Sequence, residues 1–99
     1  MNAFEVHDVA PEEFVVRVER ALIEDGLEEH VSLRVEGDEL VTRFRWMGVT
    51  ELRYRLTPVG DGFRADLSDQ NVSLFHAAFR GPFEEHFDDI LSRVGARSA

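Results

Sequence analysis

Apolar and polar residues alternate through the middle of the chain and give way to a helical period on either side of it. Phe4 to Val9 opens on a period of two, the pattern of a half-buried strand. Val31, Leu33 and Val35 then alternate with Ser32 and Arg34. Leu40, Thr42, Phe44 and Trp46 alternate with Val41, Arg43, Arg45 and Met47. Thr50, Leu52, Tyr54 and Leu56 alternate with Val49, Glu51, Arg53 and Arg55, and Phe63, Ala65 and Leu67 with Arg64 and Asp66. Each set predicts a strand with one apolar face, which places Trp46 in the core beside Phe44 and Tyr54. The punctuation agrees. Glu36-Gly37-Asp38-Glu39 reads as a tight connection and Gly48 as a bend. Pro58 closes the fourth strand, and Gly60-Asp61-Gly62 reads as a hairpin turn. Connections this short make the strands sequential neighbours in an antiparallel meander.

Two segments follow the helical period. Pro11 suits a first helical turn, Glu12 and Glu13 favour the positive end of the dipole, and Gly26 stops the helix after about Asp25. Phe14, Val15, Val18, Ala21 and Leu22 share an arc of roughly 120°, the face that packs on a core. Gly81-Pro82 starts a second helix. Its stripe is Phe83, Phe87, Ile90, Leu91 and Val94, and Gly95 is its cap. Arg97-Ser98-Ala99 should fray. Val72 to Phe79 stays open between strand and helix. The expected order is β-α-β-β-β-β-(β)-α over residues 1–99: a single two-layer α+β domain, with a curved antiparallel sheet and two amphipathic helices on one face.

Composition narrows the picture. The chain has 99 residues, enough for one domain with its own core. Without cysteine it has no disulfide, no thiolate nucleophile and no cysteine-ligated metal. The opening Met1-Asn2-Ala3 lacks the basic and apolar regions of a signal peptide, and no apolar run reaches the roughly 18 residues of a membrane span. A cytoplasmic location is the expectation. The net charge of −9 disfavours nucleic acid as a partner of the whole surface. That charge is uneven: residues 1–30 carry nine acids against two Arg, and residues 31–67 six acids against six Arg. Every base is Arg, a planar fork suited to carboxylates and phosphates.

Two families share features of this pattern. The opening strand, the Ala10-Pro11-Glu12-Glu13-Phe14 helix start, the meander and the closing helix resemble the START-like (SRPBCC) helix-grip fold. That resemblance implies non-covalent binding of an apolar small molecule between the sheet and the C-terminal helix. Phe44, Trp46, Tyr54, Phe83 and Phe87 are the residues placed to line such a site. His7 before a helix, Glu36-Gly37-Asp38-Glu39-Leu40, Gly48-Val49 and the closing helix are similar to small polyhydroxyalkanoic-acid-system proteins. This second resemblance implies association with a granule or its proteins.

Candidate chemistry is sparse. His7, His30, His76 and His86 form no metal-binding spacing, so no metal or other cofactor is expected. Glu84-Glu85-His86-Phe87-Asp88-Asp89 is richest in ligand types, but one helix edge supplies too few oxygens for a hard cation. No Ser or Thr sits in a nucleophile elbow, and the chain reads as non-enzymatic. Two surface features stand out. Arg34, Arg43, Arg45, Arg53, Arg55 and Arg64 project from the face opposite the helices, with Glu51 and Asp66 as companions. Like charges facing each other across strands repel, so such a face needs compensation. It can come from loop acids, a protein partner or an anionic ligand, or the Arg stems can cover apolar ground on a solvated face. The second feature is Val16 and Ile23, about 180° from the core arc of the first helix. A narrow apolar seam there, with the Arg set, predicts a binding or protein-interaction module whose partner is itself, as a homodimer, or another protein.

Overall fold

The computed structural model describes residues 1–73 and 80–99, with side chains throughout except at 80–84. The strands are β1 (Ala3–Val6), β2 (Val31–Glu36), β3 (Glu39–Arg45), β4 (Val49–Val59), β5 (Gly62–Asn71) and β6 (Arg97–Ser98). The helices are α1 (Pro11–Glu24), between β1 and β2, and α2 (Arg80–Arg93), before β6. They form an α+β domain whose open six-stranded sheet has the order β2-β3-β4-β5-β1-β6, antiparallel at every pair. α1 carries the chain from β1, beside β5, to β2 at the opposite edge.

The alternation sets the two faces. Val31, Leu33, Leu40, Phe44, Tyr54, Phe63, Ala65, Phe4 and Val6 are buried on the inner face. The expected α1 arc, Phe14, Val15, Val18, Ala21 and Leu22, is buried, as are Phe87, Ile90 and Leu91 of α2. α1 ends as its glycine predicts. Gly26 takes a left-handed φ of 72°, its N–H donates to the Ile23 carbonyl, and the Leu27 N–H donates to that of Leu22.

Four expectations need correction. Trp46 does not enter the core: it is 43 % exposed. β3 stops at Arg45, the Trp46 N–H donates to the Gly48 carbonyl, and Met47 turns left-handed, so the chain leaves the pleat before the alternation reaches Trp46. Pro58 does not end β4, which runs to Val59. The Leu56 N–H points to the β3 side, toward the Asp38 carbonyl, and Pro58 would point the same way, past the end of β3. A strand tolerates proline where no donor is needed. Arg97-Ser98 does not fray but pairs with Phe4 and Glu5 as an edge strand. β1 ends at Val6 rather than Val9, where Asp8 turns left-handed. Of the open stretch 72–79, residues 74–79 lie outside the described residues, as does the Phe83 side chain.

Thr42 is 0 % exposed on the inner face, between Leu33 of β2 and Leu52 of β4, and its hydroxyl has no partner among the described residues. A buried hydroxyl without a partner opposes folding. Thr42→Val is therefore expected to raise stability by about 1 kcal/mol in urea denaturation.

Candidate functional site

The outer face carries its own compensation. Arg43 and Arg53 flank Glu51 and donate to its two carboxylate oxygens at 2.9 and 3.0 Å. Arg34 pairs with Glu36 at 2.9 Å, Arg53 also approaches Glu36 and Glu39, and Arg64 pairs with Asp66 at 3.0 Å. Hydrogen bonds from Arg43 and then Arg53 hold the Glu51 carboxyl below its ordinary range, and Glu51 in turn raises Arg53. Beneath this network Val41, opposite Arg34 and Arg53, is 1 % exposed. The Arg stems cover it while their heads stay in water. Arg34, Arg43, Arg53 and Arg64 are thus paired, so the six Arg do not form one uncompensated patch, although among the described residues Arg45 and Arg55 enter no ion pair. Glu36 and Glu39 escape a reading of the sequence that takes them as loop. With a two-residue Gly37-Asp38 turn they are the facing ends of two strands, on the Arg side of the sheet.

Of the aromatic residues expected around a ligand, Phe44, Tyr54 and Phe87 lie in the core, and the Phe83 side chain is outside the described ones. Phe44 and Phe87 pack edge to face at 5.1 Å, and Tyr54 packs on Phe4 at 5.4 Å while its hydroxyl donates to the Met1 carbonyl. These rings fill the core against one another. Trp46 is partly exposed at the β3–β4 tip, beside exposed Met47 and Val49.

The Val16–Ile23 seam is where the helix period places it. Val16 is 47 % and Ile23 60 % exposed, on a helix whose opposite side is core. α1 lies over β2, the strand at the end of the sheet. Between them runs a groove of about 170 Å³ lined by Glu19, Leu22, Ile23, Glu28, Val31 and Ser32. Its floor is apolar and its rim acidic. Because Val31 and Ser32 belong to opposite faces of β2, the groove wraps the sheet edge. Among the described residues nothing pairs with the outer side of β2. An exposed apolar helix seam beside an open strand edge is a protein-binding geometry.

No known family's sequence model matches the chain, and neither a curated protein nor a solved structure does. The surface geometry therefore carries the functional reading.

The remaining polar groups tie elements together. Asp25, at the end of α1, takes Arg93 of α2 at 2.6 Å and lies 3.7 Å from His86. Asp88 holds the N-terminal ammonium at 2.6 Å, Asp89 pairs with Arg93, and His30 Nδ1 lies 3.1 Å from the Arg45 carbonyl. Among the described residues no three His, Asp or Glu side chains gather where a metal could be held. No helix among them is long and apolar enough to cross a membrane.

One carboxyl pair has a measurable consequence. Asp8, left-handed at φ 62°, faces Asp61 of the β4–β5 turn, and its carboxyl, when protonated, donates a hydrogen bond to it. That bond and the Asp61 charge raise the Asp8 carboxyl, against a weaker opposite pull from His7, while accepting the bond lowers Asp61. A raised carboxyl favours the fold below the ordinary carboxylate range, and that contribution is lost as pH rises through the raised value. Asparagine tolerates the same backbone and donates to Asp61 without a charge. Asp8→Asn is expected to raise Tm at pH 7. The gain should vanish on acidification once Asp8 is protonated, as differential scanning calorimetry across pH would read.

Proposed function

We propose that the chain is a small non-enzymatic interaction module that acts as a homodimer, with the Val16–Ile23 seam of α1 in the contact and a cytoplasmic location. The observation that carries this reading is the seam itself: two large apolar side chains, one helical repeat of seven apart, in water on a helix already anchored by its other side. A two-fold axis brings such a stripe onto its own copy. Arg17, Glu19 and Arg20 form a polar rim of both signs around it, which suits self-contact better than a rim of one sign would. The paired acids of the outer face favour the helix seam over the Arg set as the contact.

Sedimentation equilibrium of the wild type should give a dimer at micromolar concentration. Ile23→Glu should give a monomer with unchanged circular dichroism, because each carboxylate would lose water against its own image. A wild type that stays monomeric at high micromolar concentration overturns the proposal. A variant that unfolds assigns Ile23 to packing and overturns the seam.

One observation favours a second reading, a minimal START-like carrier of an apolar small molecule. The Thr42 hydroxyl is buried on the inner face without a partner among the described residues, where a ligand's polar group could meet it. The mutual packing of Phe44 and Phe87 weighs against it. Native mass spectrometry of freshly purified protein separates the two. The module gives a bare dimer mass, and the carrier gives a mass increment of constant size.

A further inference from the structure

We infer that two copies join through β2, edge to edge and antiparallel about a two-fold axis at Leu33, into one continuous sheet of twelve strands. The inference rests on the homodimer reading and adds where and in what register the copies meet.

The hydrogen-bond pattern of the edge comes first. The Arg45 N–H donates to the His30 carbonyl, and β2 and β3 pair with Val31 opposite Phe44. In an antiparallel ladder alternate residues point their N–H and C=O to one neighbour. Residues 30, 32, 34 and 36 therefore bond to β3, and Val31, Leu33 and Val35 direct theirs outward. The Val31 N–H is satisfied locally by the Leu27 carbonyl. The open edge thus offers the N–H and C=O of Leu33 and Val35 and the C=O of Val31.

The side chains then select the register. With Leu33 opposite the partner's Leu33, Val31 faces the partner's Val35, so the inner face stays apolar across the junction. Leu33 exchanges both bonds with its copy, and each Val35 N–H meets the partner's Val31 carbonyl. On the outer face Ser32 faces the partner's Arg34, and His30 the partner's Glu36, so no like charges oppose. Sliding the strands by two residues one way sets Arg34 against the partner's Arg34, a repulsive pair, and sliding them the other way sets the Leu33 carbonyl against the Val31 N–H that Leu27 already holds. The axis stands perpendicular to the sheet, so both helical layers lie on the same side. Ile23, which lines the groove beside Val31 and Ser32, then borders the junction. One contact would cover the open edge and the Ile23 end of the seam.

The chain has no cysteine, which permits a clean test. Residues 32 and 34 of two copies would form a non-hydrogen-bonded pair with Cα atoms about 4.5 Å apart, within disulfide range. Ser32→Cys with Arg34→Cys, both near the surface, is expected to convert more than half the protein to a covalent dimer under mild oxidation, on a non-reducing gel. Either variant alone should remain monomeric on that gel. Cross-linking by Arg34→Cys alone establishes the slipped register and overturns this one. A double variant that sediments as a dimer but does not cross-link overturns the edge while leaving the homodimer standing. A monomeric wild type overturns both.

Discussion

Phe4→Ala is expected to lower stability by about 3–5 kcal/mol, the range for emptying a fully buried aromatic site. Phe4 is the hub of the ring cluster, with centroids 5.9 Å from Phe14, 5.4 Å from Tyr54 and 6.5 Å from Phe63. It joins α1 to three strands, and its cross-strand neighbour in β5 is Ala65, small enough to leave the ring room. No single element can move in to close the hole. Against the 5–15 kcal/mol typical of a domain, this loss leaves the fold marginal at 37 °C. Urea denaturation at fixed protomer concentration would read it, since the proposed dimerisation would make stability depend on concentration. A loss below 1 kcal/mol would remove Phe4 from the centre of the core. Trp46→Ala should cost much less, because the indole is partly in water at the β3–β4 tip.

Gly62→Ala is expected to be the most disruptive glycine-to-alanine change among the described residues. A Cβ at position 62 would lie inside the contact distance of the Val6 carbonyl oxygen and 2.9 Å from the Cα of His7. Both are backbone atoms, so no side chain can swing aside. β1 would have to separate from β5 just where Val6 pairs with Phe63. Overpacking of this kind costs about 1–3 kcal/mol or more. Gly60→Ala, in the same turn but with open space at its Cβ, pays only for its left-handed φ. Paired melts of the two variants should show the larger fall for Gly62→Ala. The reverse order would mean that β1 does not approach so closely.

The candidate site was legible in part. The seven-residue spacing of Val16 and Ile23, opposite the core arc, already marks them as outward. What lies beside them was not legible, because the period of a helix says nothing of the strand beneath it. The Arg face was half legible. Alternation puts the six Arg on one side, but Glu36 and Glu39 join them only through the length of the Gly37-Asp38 turn. Trp46 was misplaced because a period of two continues on paper after the backbone has left the strand.

Alternation and helical period by themselves determined the two layers, the inner and outer faces and the ends of α1. These are local properties: side-chain direction follows from backbone geometry within a few residues, and proline and glycine act where they stand. The short connections also set the run β2-β3-β4-β5, and tertiary structure alone decided where β1 and β6 join it. Nothing near Phe4 says that β1 will pair with β5, or that Arg97-Ser98 will pair with β1 in turn. Those pairings join residues about 60 and 90 positions apart in the chain. They form only when burial of Phe4 and Val6 under α1 outweighs the entropy of closing such loops. The same closure leaves β2 at the end of the sheet, and with it the open edge on which the proposed interface depends.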